Sequence, residues 1–197
     1  MLASASPRRR DLLAQIGIVP DAIVPADIDE SPYPRERPHA LAQRLAVAKL
    51  EVASAQSEHG YVLAADTVVA VGQRILPKAE DDAIARSCLE LLSGRRHRVF
   101  SGVALRRPDG LQRRRVVRSI VTFKRLSRPE IDGYLASGEW RGKAGGYAIQ
   151  GLAAAFIRSL SGSYTNVVGL PLFETAQLLQ GNGFPLFGAA DSDPDAQ

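Results

Sequence analysis

Tyr61-Val62-Leu63-Ala64-Ala65-Asp66-Thr67-Val68-Val69-Ala70-Val71 is the stretch on which the reading of the fold turns. Val62, Leu63, Val68, Val69 and Val71 are strand formers, and Gly72 begins a turn. The pair Asp66-Thr67 interrupts this apolar run. A carboxylate in an otherwise apolar strand is costly to bury unless it meets a cation, hydrogen-bond donors or a water-filled cleft. Asp66 is therefore a candidate to hold magnesium or to deprotonate water, although a structurally paired carboxylate at a strand end fits the same pattern.

Toward the N-terminus, Leu2 to Ala5 reads as a short buried strand. Ser6-Pro7 then starts a helix, with the serine as cap and the proline at the first helical position. This helix is expected to turn Leu12, Leu13 and Ile16 inward and to stop at Gly17. Ile18 to Val24 can extend, whereas Pro25 to Pro38 is a loop carrying Asp27, Asp29 and Glu30. The segment His39 to Ala55 predicts a helix with Leu41, Leu45, Ala48 and Val52 on one stripe and Lys49 near its edge.

Toward the C-terminus, Glu80 to Leu92 reads as a helix closed by Gly94. Arg98 to Leu105 and Arg113 to Phe123 flank the turn at Pro108-Asp109-Gly110, which predicts an antiparallel pair. Ser127 with Glu130 forms a capping box for a helix to Ala136. Gly142, Gly145 and Gly146 make a tight loop, Tyr147 to Gln150 is read as a short strand, and Ala153 to Leu160 as another. Gly162 to Asn166 is a polar turn, and Pro171 opens a last helix with Leu172, Thr175, Ala176 and Leu179 inward. Strands alternating with helices, with one hairpin, give an α/β class built on a mixed sheet with helices packed around it.

At 197 residues and 45% hydrophobic composition the chain can bury the core of a single domain. The lone Cys88 permits no intrachain disulfide, and its neighbours Ile84, Leu91 and Leu92 make it a buried structural thiol. No apolar window approaches a membrane-spanning length, and Met1 to Arg10 lacks the apolar stretch of a secretion signal, so a cytoplasmic location is expected. The net charge of +4 gathers in Arg8, Arg9 and Arg10 and in Arg113, Arg114 and Arg115. Such runs suit an anionic ligand or a solvated surface.

Several residues could carry chemistry. Ser4 to Arg9 places arginines at a helix amino end, where free N–H groups and the helix dipole favour phosphate; an ordinary cap followed by solvated arginines looks the same in sequence. The stretch lacks the spaced glycines of a P-loop. Asp27, Asp29 and Glu30 could complete a divalent-metal site with Asp66 or simply face solvent. His39, His59 and His97 show no zinc-ligand spacing. Lys49 and Lys78 could neutralise phosphate, and Gln150 could offer a donor and an acceptor to a base edge. No serine–histidine–acid set stands out, which disfavours covalent hydrolysis.

In their order, Leu2 to Arg9, Asp29-Glu30, Leu45 to Leu50, Ala65 to Val69, Leu92-Ser93-Gly94, Gly142 to Gly151 and Gly162 to Thr175 resemble the Maf family of nucleoside triphosphate pyrophosphatases. The resemblance implies an ITPase-like α/β fold with a mixed twisted sheet and two lobes around a central cleft. It implies one catalytic domain over residues 1–187 and a homodimer acting on nucleoside triphosphates with magnesium or manganese; residues 188–197, acidic, small and polar, are expected to fray as a tail. It makes Asp66 the proton acceptor, Glu30 and Asp66 metal contacts, and Ser6, Arg9, Lys49 and Lys78 parts of the triphosphate pocket. Arg8, Thr67 and Gln150 match the positions that favour dTTP and UTP, whereas the branch acting on 7-methyl-GTP tends to carry Ser-Asp-Gln and Ser-Glu-Gly at the corresponding segments. Two departures stand out: Leu76-Pro77-Lys78-Ala79 replaces the usual Gly-Lys-Pro pattern, and Ser101 stands where threonine is common.

The alternative is a nonenzymatic nucleotide- or nucleic-acid-binding regulator of cell division. The sequence offers that reading no zinc finger, RNP aromatic pair or helix-turn-helix, and no stable nucleic-acid or membrane partner is expected.

Overall fold

A computed structural model describes residues 1–57 and 59–186 of the chain. The expected tail at 188–197 lies outside the described residues. Six strands form one mixed sheet: β1 (Leu2–Ala3), β2 (Val62–Val71), β3 (Arg74–Leu76), β4 (Arg96–Arg106), β5 (Gln112–Phe123) and β6 (Ile157–Ser161). The order is β1-β2-β4-β5-β6, with β3 also on β2; β1 pairs β2 in parallel and the other pairings are antiparallel.

The period-two alternation of β2 sorts its side chains between two helical layers. Val62 and Ala64 pack with Ala46, Leu50 and Ala53 of α2 (Pro38–Ser54), and Val68 packs with Leu41, Ala42 and Leu45 of the same helix. Leu63 and Ala65 face the other way, toward Leu12 and Leu13 of α1 (Pro7–Gln15) and Leu178 and Leu179 of α6 (Leu172–Gln180). The largest apolar cluster joins α3 (Asp82–Leu92) and α4 (Arg128–Ser137) to the far ends of β4 and β5 around the fully buried Trp140.

Helix α2 departs from its expected stripe. Leu41 and Leu45 are buried as expected, but Ala48 is half-buried and Val52 is exposed. The inward face is Leu41, Ala42, Leu45, Ala46, Lys49, Leu50 and Ala53, so Lys49 lies within it. The small residues decide this rotation, because alanines allow the helix to settle on the strands. Gly102 of β4 has the closest approach: a Cβ there would lie 2.1 Å from the Ala42 carbonyl oxygen.

Other expectations also need correction. Ser6 precedes α1 but makes no side-chain capping bond; its N–H instead donates to Ser4 Oγ at 3.2 Å. Tyr147 to Gln150 is loop and turn rather than strand. The stretch read as a strand from Ala153 begins as a 3₁₀ helix (Leu152–Phe156), and extended structure starts only at Ile157. The polar turn after Gly162 contains a five-residue helix, α5 (Tyr164–Val168), capped by Ser163. In α6, Thr175 and Leu179 point inward, but Leu178 takes the buried place expected of Ala176, and Leu172 is half-buried. The capping box of α4 is present, and Arg113 to Arg115 are exposed on β5.

Candidate functional site

The cleft arises from a gap in the sheet. One edge of β2 is paired with β4 from Val62 to Ala70. The opposite edge is paired with β1 at Leu63 and Ala64 and with β3 from Val69 onward. Strand β1 ends at Ala3 because Pro7, at the first position of α1, begins the helix four residues later. Asp66 and Thr67 lie in the interval left between β1 and β3, and a cavity of about 430 Å³ opens there. Ser6, Arg8, Arg9, Glu30, Lys49, Asp66, Thr67, Lys78 and Gln150 all line it, whereas Asp27 and Asp29, also candidates for a metal site in the sequence, are exposed and do not line it.

On the α2 side of the strand, Lys49 Nζ donates to Asp66 Oδ1 at 2.5 Å and to Glu30 Oε1 at 2.6 Å. Lys78 Nζ donates to the other Glu30 oxygen, Oε2. Lys49 and Asp66 are 7% and 4% exposed, which makes them a buried pair whose charges need one another. Burial pushes the Glu30 carboxyl up, but hydrogen bonds and charge attraction from Lys49 and Lys78 prevail and hold it below the usual carboxylate range. Lys49 takes one Asp66 oxygen, leaving Oδ2 for another partner.

On the opposite face, α1 delivers Arg9, which is 8% exposed. Its Nε donates to Gly169 O at 2.9 Å, Nη1 to Ser4 Oγ at 2.9 Å and Nη2 to Thr67 Oγ1 at 3.2 Å. Arg8 Nε donates to Val168 O at 3.3 Å. Burial lowers the pKa of both guanidiniums; for Arg9 the carboxylates of Asp66 and Glu30 oppose that effect, and for Arg8 the adjacent Arg9 adds to it. The carboxyl end of α5 thus orients both arginines. Asn166 fixes α5 to the sheet: its Nδ2 donates to Val99 O at 3.2 Å and to Ser119 Oγ at 2.9 Å. Ser101 ties Thr67 to α5 on this face, lying 3.0 Å from Thr67 Oγ1 and donating to Asn166 O at 3.3 Å.

A profile of the Maf-like protein family matches residues 1–182. The chain belongs to the Maf family. Among curated relatives, the dTTP/UTP pyrophosphatase of Paramagnetospirillum magneticum is 62% identical over 184 residues, covering 93% of this chain and 97% of its own. The dTTP/UTP pyrophosphatase of Caulobacter vibrioides is 61% identical over 184 residues, with coverages of 93% and 95%. Among solved structures, the Staphylococcus aureus Ham1 protein is similar with a TM-score of 0.44 at 18% identity over 62% of this chain and 70% of that one.

Within this Maf chain, Gln150 is exposed at the lip of the cleft, on a turn rather than a strand. The loop carrying it is fixed by side chains from elsewhere. Tyr134 Oη accepts from Ala148 N at 3.0 Å, Tyr147 Oη lies 2.7 Å from His97 Nε2, and Glu139 Oε2 accepts from Leu152 N at 2.8 Å. Gly145 and Gly146 have positive φ, and a Cβ on Gly145 would lie 3.0 Å from Val69 Cγ1. Arg141 and Lys143 also line the cleft, though sequence reading did not single them out. Their signal in the sequence is that the two cations flank Gly142 at the start of the tight glycine loop.

The donor chemistry suits a hard divalent cation. Glu30 and Asp66 bring four carboxylate oxygens to one cleft, three of which accept from Lys49 or Lys78, so a cation there would share them with the lysines; among the described residues no group of three or more His, Cys, Asp or Glu is placed to hold a metal ion. Magnesium is commonly held by one or two carboxylates with water and substrate phosphate completing the shell. Among the described residues no helix is long and apolar enough to cross a membrane.

Proposed function

We propose that this chain hydrolyses nucleoside triphosphates, dTTP and UTP foremost, to the monophosphate and pyrophosphate. The observation that carries the reading is the Asp66–Lys49–Glu30–Lys78 chain of ion pairs facing Arg8 and Arg9 across one cleft. Six cationic side chains against two carboxylates line that space. Such an excess of positive charge favours a polyphosphate. Close kinship with relatives named dTTP/UTP pyrophosphatases supports the same substrate class.

In this mechanism Asp66 accepts a proton from water at Oδ2, while Lys49 keeps the carboxylate ionised and oriented through Oδ1. The water attacks the α-phosphorus, and pyrophosphate leaves without a covalent enzyme intermediate. Ser6, Arg8, Arg9, Lys49 and Lys78 bind and orient the phosphate chain, with Arg9 held rigid by Gly169, Ser4 and Thr67. Glu30 and Asp66 would hold a magnesium or manganese ion, which would polarise the phosphoryl group and offset charge on the leaving pyrophosphate. Thr67 serves base selection through Arg9 and the Ser101 network, because its one hydroxyl proton has Ser101 Oγ and Gly169 O as acceptors. Gln150 meets the base at the lip.

The reading extends to a single catalytic domain over residues 1–187 with two lobes, supported by the separate apolar clusters bordering the cleft. A homodimer and a cytoplasmic location complete it. Product analysis with dTTP, UTP, CTP, 7-methyl-GTP and ITP, with and without divalent metal, tests the proposal. Monophosphate and pyrophosphate from dTTP and UTP, dependent on metal, are expected; diphosphate and phosphate would place the chain in another reaction class.

A further inference from the structure

We propose that Lys143 is a further contact to the phosphate chain of the substrate. The inference rests on the triphosphate reading and adds a residue to it. Its first support is a backbone clamp. Gly142 N donates to Ala79 O at 2.8 Å, Ala79 N to Lys143 O at 3.0 Å and Gly145 N to Pro77 O at 2.9 Å. Ala144 bridges Lys78 in antiparallel fashion. This clamp fixes the Lys143 backbone beside the segment that carries Lys78, so the side chain starts from a defined place on the cleft wall.

The second support is that Lys49, Lys78, Arg9 and Arg141 each commit part of their donor or charge capacity to the protein itself. Lys49 and Lys78 are paired with Asp66 and Glu30. Arg9 directs three of its five N–H donors to the protein. The Arg141 guanidinium lies 4.6 Å from the Trp140 ring centroid. Among the described residues Lys143 makes no ion pair, and its Nζ donates to the Arg141 carbonyl oxygen at 2.9 Å, leaving ammonium N–H groups uncommitted.

The third support is the company this lysine keeps. It is partly buried, and burial first and Arg8 second pull its pKa down, with Glu139 opposing. A lysine stem is flexible enough to carry its charge into water. Lys143 and Arg8 line the same cleft, where their like charges oppose one another. An anion entering between them converts that repulsion into attraction from both sides. A triphosphate, carrying about four negative charges at neutral pH when its terminal group is ionised, is an anion of the right magnitude.

Calorimetric titration of inorganic tripolyphosphate into the wild type, Lys143→Ala and Lys143→Arg tests the inference, with unfolding temperatures measured for all three. Affinity about tenfold weaker in Lys143→Ala, largely restored in Lys143→Arg and accompanied by similar unfolding temperatures, is expected for a charge-assisted contact. Equal affinity in the wild type and Lys143→Ala would overturn it, as would a Lys143→Arg variant as weak as the alanine. If the wild type hydrolyses dTTP and Lys143→Ala still binds tripolyphosphate normally, the Lys143 contact falls alone. If the wild type neither hydrolyses a triphosphate nor binds tripolyphosphate, the triphosphate reading falls with it.

Discussion

Asp66 and Lys49 divide one buried charge pair unequally, and the difference separates catalysis from stability. Asp66→Asn removes the proposed proton acceptor but leaves Lys49 paired with Glu30. We expect kcat to fall by about 10²–10⁴, the range of a general base, with the unfolding midpoint little changed. Lys49→Ala instead strands a buried carboxylate, and chemical denaturation should show a loss of about 3–5 kcal/mol. Equal effects of the two variants on stability and turnover would refute this division. At this scale the sequence was informative about Asp66, since a carboxylate inside an apolar strand demands a partner. It was less so about Lys49, because a helical stripe drawn through Val52 overlooks how closely Ala42 and Ala46 let α2 settle.

Helix α2 and strand β4 make contact where no side chain intervenes. Gly102→Ala would drive a methyl group into the Ala42 carbonyl, so α2 must shift and carry Lys49 with it. A stability loss of about 1–3 kcal/mol is expected from overpacking, together with reduced turnover. Denaturation and kinetics on the same sample check both, and unchanged turnover despite lost stability would show that Lys49 keeps its place.

Strand β4 also holds the Gln150 loop through His97 and Tyr147, a link between residues fifty positions apart that local pattern cannot reveal. Burial pulls the His97 pKa from 6.5 to about 4. Its Nδ1 has no hydrogen-bond partner, which favours the tautomer with the proton on Nε2, donating to Tyr147. The unfolded chain takes up this proton near pH 6.5, while the folded chain refuses it until about pH 4. Stability from this source is therefore complete above pH 6.5 and declines through that window by on the order of 3 kcal/mol. His97→Gln should flatten the corresponding part of a plot of unfolding free energy against pH; an undiminished slope would assign it to other groups. The misread strand at Tyr147 to Gln150 has the same origin, since its backbone N–H at Ala148 is satisfied by a tyrosine hydroxyl instead of a neighbouring strand.

Across the whole molecule, hydrophobic periodicity and turn chemistry were enough to predict most helices, the β4–β5 hairpin and the mixed α/β class. They could not reveal the order of strands, and that order creates the cleft. Asp66 and Thr67 point to opposite faces of β2, yet both reach one cavity because β1 stops before them and β3 begins after them. Glu30 joins from a loop without regular structure, and Arg8 and Arg9 are oriented by carbonyls about 160 residues away in sequence. Family resemblance named these residues together; their spacing along the chain could not have done so.

Two carboxylates and six cationic side chains line one cleft, and the proposed hydrolysis turns on which phosphorus of the triphosphate is attacked. Hydrolysis of dTTP in ¹⁸O-labelled water, followed by ³¹P NMR or mass spectrometry of the products, measures it directly. Attack at the α-phosphorus predicts the label in dTMP and unlabelled pyrophosphate. Label in pyrophosphate, or release of dTDP and phosphate, would rule out attack at the α-phosphorus.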